Sequence, residues 1–193
     1  MPILEIKTYP DPILKKKSLD VKSVTPEYQK LAEDMLETMY AAPGIGLAAI
    51  QVGVPIRMLV IDIRRTNEDG SFADDDFTEK EKTVQFPIVI FNPVITKKEG
   101  KTTYEEGCLS VPGYTETVER AEYIEVEGLD KNGQRFEVKT DGLLAICFQH
   151  EMDHLEGKLF IDRISFVKSN RIRSKIKKYG YPDQSEDEGH SAL

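Results

Sequence analysis

The sequence predicts an α+β domain: short, mostly antiparallel β-sheets around a central helix, with a further helix at the C-terminal end. Three observations point to it. The apolar runs at 57–63, 86–95, 118–129 and 134–138 are short and rich in branched residues, as strands are. The last two flank Asp130-Lys131-Asn132-Gly133, whose Asn-Gly pair is a strong hairpin signal, so these neighbours run antiparallel. Residues 141–157 then carry Leu143, Leu144, Ile146 and Cys147 at helical spacing, a stripe that must be buried against the strands.

Taken in order, Tyr9-Pro10-Asp11-Pro12 is a turn-rich opening, with Asp11 or Pro12 starting a short helical turn. Thr25-Pro26-Glu27 opens a helix, with Thr25 as N-cap and Pro26 in the first position. Leu31, Met35, Leu36 and Met39 carry it to about Ala41. The methionines read as core. The strand at 57–63 is followed by a polar, acidic stretch, 64–85, containing Asn67-Glu68-Asp69-Gly70 and Ala73-Asp74-Asp75-Asp76, which reads as a solvated surface insertion. Pro93 in the next strand suggests an edge or a strand end. Asp141 can cap the central helix and Gly157 can close it. The helix over 165–179 places Ile172, Ile176 and Tyr179 on one face and a row of lysines and arginines on others, and Gly180 and Pro182 stop it. Residues 184–193 form an acidic, frayed tail in which His190 is a bystander.

A chain of 193 residues is one domain, here 1–180 with a tail over 181–193, and is long enough to bury a proper core. A net charge of −8 argues against nucleic acid as the main ligand. No apolar run has the length of a signal peptide or a bilayer span, so a cytoplasmic protein is expected, with Cys108 and Cys147 reduced.

The chemistry gathers on the central helix. His150 and His154 are four apart, so their rings lie on one helix face and can grip one metal ion, with Glu151 beside them near a water. A catalytic metal generally takes three protein ligands and leaves one position open. Downstream, Glu156 points elsewhere round the helix and Asp162 lies past its end. Upstream, Cys108 in Glu105-Glu106-Gly107-Cys108-Leu109-Ser110 suits a fixed loop or strand presenting sulfur; the alternative is a small buried hydrophobe, a role Cys147 fits better. The glycines of 43–53 lack the lysine of a phosphate loop and instead permit close backbone approach. Gln51 among apolar neighbours is either a structural hydrogen-bonder or a donor aimed into a site.

Gly44-Ile-Gly-Leu-Ala-Ala-Ile-Gln-Val-Gly53, Glu106-Gly-Cys-Leu-Ser110 and Gln149-His-Glu-Met-Asp-His154 together resemble the three signature motifs of the peptide deformylases, in the family's order. The resemblance runs from about residue 3 to 180. Two departures are peripheral: Ile50, where proline or threonine is more usual, and the acidic insertion at 64–85. The resemblance implies removal of the formyl group from N-terminal formyl-methionine, releasing formate. Cys108, His150 and His154 would hold the metal, with Glu151 as general base and acid on an activated water. Gln51, through its side-chain amide, and the Leu109 backbone N–H would stabilise the oxyanion. Gly44, Ile45, Gly46 and Gly107 would pair with the substrate backbone. Ile45, Leu143, Ile146 and Cys147 would line the methionine pocket, although Leu143 and Ile146 equally suit plain core. Asp153 either orients a neighbour of the metal or forms a surface ion pair.

The family favours ferrous iron as the working ion, with zinc, nickel or cobalt able to substitute. The expected partners are formylmethionyl peptides and nascent chains, with no membrane and no DNA; the basic helix suits either a ribosome contact or a plain solvated face. A metallopeptidase would need a downstream third ligand, and a binding module would not need all of Gln51, Cys108, His150, Glu151 and His154.

Overall fold

Twelve helices and strands follow one another in the described residues, 2–66, 71–73, 76–182 and 193 of a computed structural model. They are α1 (Pro26–Ala41), β1 (Gly46–Ala48), β2 (Met58–Ile61), β3 (Arg65–Thr66), β4 (Phe72–Ala73), β5 (Ile88–Glu99), β6 (Thr102–Glu106), β7 (Glu116–Arg120), β8 (Tyr123–Leu129), β9 (Arg135–Thr140), α2 (Gly142–Leu155) and α3 (Phe166–Tyr179), with short 3₁₀ turns between some of them. The fold is α+β. Its main sheet has the order β1-β2-β5-β8-β9, every pair antiparallel.

The sheet lies between α1 and α2, and β2 shows why its sequence is continuously apolar. All four of its residues are buried. Met58 and Val60 join Met35 and Met39 of α1 in one cluster, while Leu59 and Ile61 join Leu144, Cys147 and Phe148 of α2 in another. Alternate residues thus serve opposite faces of a sheet covered on both sides. Thr25 caps α1 by accepting from the Tyr28 N–H at 3.4 Å.

Several expectations need correction. Pro93 is neither at an edge nor at a strand end, because β5 is the middle strand and continues to Glu99. It sits where the β5–β8 register shifts between Phe91 and Val94, a bulge that tolerates its missing N–H. The run 118–129 is two strands: β7 pairs with β6 in a separate ribbon, and β8 enters the main sheet. At the break, the Gln149 amide of α2 accepts from the Ala121 N–H and donates to its carbonyl, both at 2.9 Å. The stretch 64–85 is not simply solvated. Arg65–Thr66 pairs with Phe72–Ala73, and Glu81 is buried at 2% exposure. Residues 67–70 and 74–75 of that stretch lie outside the described ones. Finally Tyr179 does not share the buried face of α3; it is exposed, while Ile172 and Ile176 pack with Cys108, Val118 and Phe160.

Asp141 does not cap α2 through its side chain. The Leu144 N–H donates instead to Glu81 Oε1 at 2.9 Å, and Asp141 is held by Thr78 at 2.6 Å and Lys80 at 3.1 Å. Of the expected tail, 183–192 and its His190 lie outside the described residues, and Leu193 is buried in the cluster around α2.

Candidate metal centre

α2 carries His150 and His154 on consecutive turns, their ring centroids 5.0 Å apart and each ring 1% exposed. The loop after β6 brings Cys108 to the same point. Potential ligand atoms of Cys108, His150 and His154 all lie within 4.8 Å of one another, the one such group of three among the described residues. Cys108 Sγ is 3.4 Å from His154 Nε2. Ligand bonds of about 2.0–2.3 Å in a tetrahedral shell set ligand atoms roughly 3.3–3.8 Å apart, a range that the Cys108–His154 pair meets. Both downstream candidates are engaged elsewhere, Glu156 by Arg57 and Lys17, and Asp162 by Arg173 and the Leu159 N–H.

Five buried side-chain polar atoms among the described residues lack a partner, and four belong to α2: His150 Nε2, both Glu151 oxygens and His154 Nδ1, the ring nitrogen turned away from Cys108. Unpaired buried polar atoms are costly, so His150 Nε2 and the Glu151 carboxylate, left open on one helix beside Cys108, mark a place built for a guest. The donor set, one thiol and two imidazoles, suits zinc and ferrous iron alike.

The neighbours of the histidines orient them. His150 Nδ1 is 2.8 Å from Glu106 Oε1, which turns Nε2 towards Cys108. Arg120 grips Glu106 through two bonds of 2.7 and 2.8 Å and reaches Asp153 at 2.6 Å, and Arg163 holds Asp153 from outside. Asp153 is therefore a buried member of an ion-pair chain, not a surface pair. Burial alone would raise the Glu106 and Asp153 carboxyls, but the guanidinium bonds outweigh it and hold both below the usual range. Burial pulls His150 down, yet Cys108 and Glu106 lift it well above the ordinary imidazole value. Burial, joined by the His150 charge, keeps His154 well below it.

Glu151 is fully buried, and burial pushes its carboxyl up to about 7, with Glu106 and Asp153 adding and His150 and Arg120 opposing. Gly46 makes room for it. A Cβ there would stand 2.5 Å from Glu151 Oε1 and 2.9 Å from Cys147 Sγ, so the close approach is to α2 side chains. Gly46→Ala is expected to lower stability by about 1–3 kcal/mol through overpacking and to cut turnover by displacing Glu151. Thermal melts alongside rate measurements check this, and an unchanged melting temperature would refute it.

Gln51 is fully buried with its amide fixed at both ends. Its Oε1 accepts from the Ala48 N–H at 2.8 Å, and its Nε2 points to Ser110 Oγ at 3.1 Å and Cys108 Sγ at 3.8 Å. Gln51 is thus a structural hydrogen-bonder whose amide nitrogen stands beside the Cys108 sulfur. The Leu109 N–H, beside the sulfur, donates to no protein acceptor among the described residues. β1 is an edge strand. The Asp62 N–H bond to the Ile45 carbonyl, 2.9 Å, turns Ile45 towards β2, and strand alternation leaves the Gly46 backbone on the open edge. Gly44 and Gly46 are buried, and Gly107 is half-buried just ahead of Cys108. Ile45, Leu143, Ile146 and Cys147 fall in one cluster, with Cys147 Sγ 3.8 Å from the Ile45 carbonyl. Burial pushes the Cys147 thiol well up, so it presents a neutral apolar surface.

Residues 3–170 match the family model described as polypeptide deformylase. The chain belongs to the peptide deformylase family. Among its relatives, the peptide deformylase of Nitrosococcus oceani is 52% identical over 178 residues, covering 92% of this chain and 96% of that one. A crystal structure of a peptide deformylase from Legionella pneumophila superposes with a TM-score of 0.77 at 43% identity, covering 92% of this chain and 95% of that one. Peptide deformylase from Ehrlichia chaffeensis in complex with actinonin gives 0.79 at 39% identity, over 93% and 99% of the two chains. As a deformylase-family chain this is an enzyme, and no helix among its described residues is long and apolar enough to cross a membrane.

Sequence reasoning missed Glu106, Arg120 and Glu81. Glu106 stands two places before Cys108 in the same motif, and a carboxylate there is a readable hint of a partner for a metal-ligating histidine. Arg120 carries no local signal.

Proposed function

We propose that this site removes the formyl group from the N-terminal formyl-methionine of newly made proteins, releasing formate. The observation that carries the reading is the buried Cys108–His150–His154 group with the unpartnered Glu151 carboxylate beside it. A divalent ion held by those three residues would draw the pKa of a water towards neutrality and polarise the formyl carbonyl. Glu151, poised near neutrality by burial, takes the proton of the attacking water and returns it to the leaving amine. As the water oxygen bonds to the formyl carbon, the Gln51 amide and the Leu109 N–H receive the developing oxyanion. Cleavage of the carbon–nitrogen bond then yields formate and a free α-amine.

The substrate lies along the open edge of β1, meeting the Gly44–Gly46 backbone on one side and Gly107 on the other, a strand-addition mode. Its methionine side chain enters between Ile45, Leu143, Ile146 and Cys147. The reading includes ferrous iron as the ion in the cell, with zinc, nickel or cobalt able to replace it, a single catalytic domain over 1–180, and work in the cytoplasm on nascent chains. For ribosome contact the support is the row of cations on α3. Lys168 and Arg171 already pair with Glu116, and Arg173 with Asp162, which leaves Lys175, Lys177 and Lys178 as the exposed lysines of its second half.

The test is formate release from a formyl-Met-Ala-Ser peptide by protein prepared without oxygen and loaded separately with iron, nickel or zinc. Release is expected with iron and nickel, and chelation should abolish it. Absence of release with every ion, together with internal cutting of unformylated peptides, would replace this reading with a peptidase.

A further inference from the structure

The acidic stretch at 64–85 contributes a side chain to the helix that carries the chemistry. Thr78-Glu79-Lys80-Glu81 forms a reciprocal box. Glu81 Oε2 accepts from the Thr78 N–H at 2.8 Å, and Thr78 Oγ1 accepts from the Glu81 N–H at 3.2 Å. The other oxygen, Oε1, leaves that box and accepts from the Leu144 N–H of α2 at 2.9 Å, satisfying a donor the helix start cannot satisfy itself. Asp141, on the near side of Leu143, is clamped to the same short segment by Thr78 and Lys80. Gly142 lies in the grip, its φ of +62° fitting the turn and its missing Cβ leaving space that would otherwise end 2.7 Å from Glu81 Oε1. Phe77 and Phe86, edge to face at 5.5 Å, anchor the segment on the cluster that contains Ile45 and Leu143.

We propose that Glu81 is a positioning residue: by capping the first turn of α2 it holds Leu143, between the two clamped positions, as the wall of the methionine pocket. The inference rests on the deformylase reading. It gives the acidic stretch a role at the site, although its composition resembles a solvated loop. The charge also suits the place, since a carboxylate at a helix N-terminus faces the positive end of the dipole.

The test compares wild type, Glu81→Ala, Glu81→Gln and Gly142→Ala as nickel-loaded enzymes, with formyl-Met-Ala-Ser and formyl-Ala-Ala-Ser as substrates. In Glu81→Ala, KM for the methionine substrate should rise about fivefold, the scale of losing a cap. Its kcat should stay within about twofold and its metal content unchanged, because His150 lies two turns away. The preference for methionine over alanine should shrink by about the same factor. Glu81→Gln, whose amide oxygen can still accept from Leu144, should fall between. A merely structural cap would lower the melting temperature and leave KM and side-chain preference as in wild type; that result overturns the inference. If Glu81→Ala does not fold, Gly142→Ala, which pushes on the same carboxylate, decides by the same readouts. Failure of wild type to release formate at all would instead overturn the deformylase reading.

Discussion

Glu151→Gln is expected to slow formate release by about 10²–10⁴-fold, the range that a positioned general base and acid supplies. The amide keeps the shape that fits against Gly46, so packing should survive where a bulkier change would not. What it loses is the capacity to take a proton. The wild-type carboxylate is buried with both oxygens unpartnered, so its ionised form costs folding free energy. Removing that charge should leave the metal-free melting temperature unchanged or higher. Metal content should also hold, since the ion's candidate ligands are Cys108, His150 and His154. Three measurements therefore move in different directions: activity down, stability level or up, metal level. Activity within tenfold of wild type, with metal fully bound, would remove Glu151 from the mechanism. Joint loss of metal and activity would show that the carboxylate is needed to hold the ion.

The parts of this molecule that were legible in the sequence are those whose physics is local. Period and spacing placed α1, α2 and α3, and the four-residue step between His150 and His154 put two imidazoles on one face. The Asn132-Gly133 turn announced the β8–β9 hairpin. What was not legible depends on pairing across distance. Arg120 lies 14 residues from Glu106 and 33 from Asp153, and nothing near it in the chain signals that it is the cation between them. β1 is three residues long and glycine-bearing, too short to show a strand period, and it is a strand because β2 offers it a partner. Pro93 was misplaced for a related reason: proline argues against a middle strand unless a bulge accommodates it, and the bulge arises from the β5–β8 register. Glu81 was obscured by its surroundings, since an acidic run reads as solvent-facing whichever of its carboxylates turns inward. Asp141 occupies the N-cap position and has the right chemistry, but another segment supplied a carboxylate that reached the helix donor instead.

Cys108→Ala is expected to weaken metal binding by more than about 100-fold, because a lost ligand should cost at least as much as the loss of a residue that only orients one. Formate release should vanish with the metal. The change is small in volume, and the site is 2% exposed beside Val111, Val118 and Phe160. The metal-free protein should therefore stay folded and lose only about 1 kcal/mol from the missing sulfur contacts. This separates a ligand from a small buried hydrophobe, the other role open to a cysteine in an apolar loop. A hydrophobe would cost stability and leave the ion in place. Thermal melts with and without added nickel read the difference directly. Ligand that binds only the folded state raises the melting temperature in proportion to the logarithm of its excess over Kd, so wild type should gain several degrees where the variant gains little. Retained tight binding would require a donor from elsewhere. Glu156 would have to leave Arg57 and Lys17, and Asp162 would have to leave Arg173 and the Leu159 N–H, to provide it. Both are held by charged partners, and Cys108, His150 and His154 come together without either, so neither is expected to replace the sulfur.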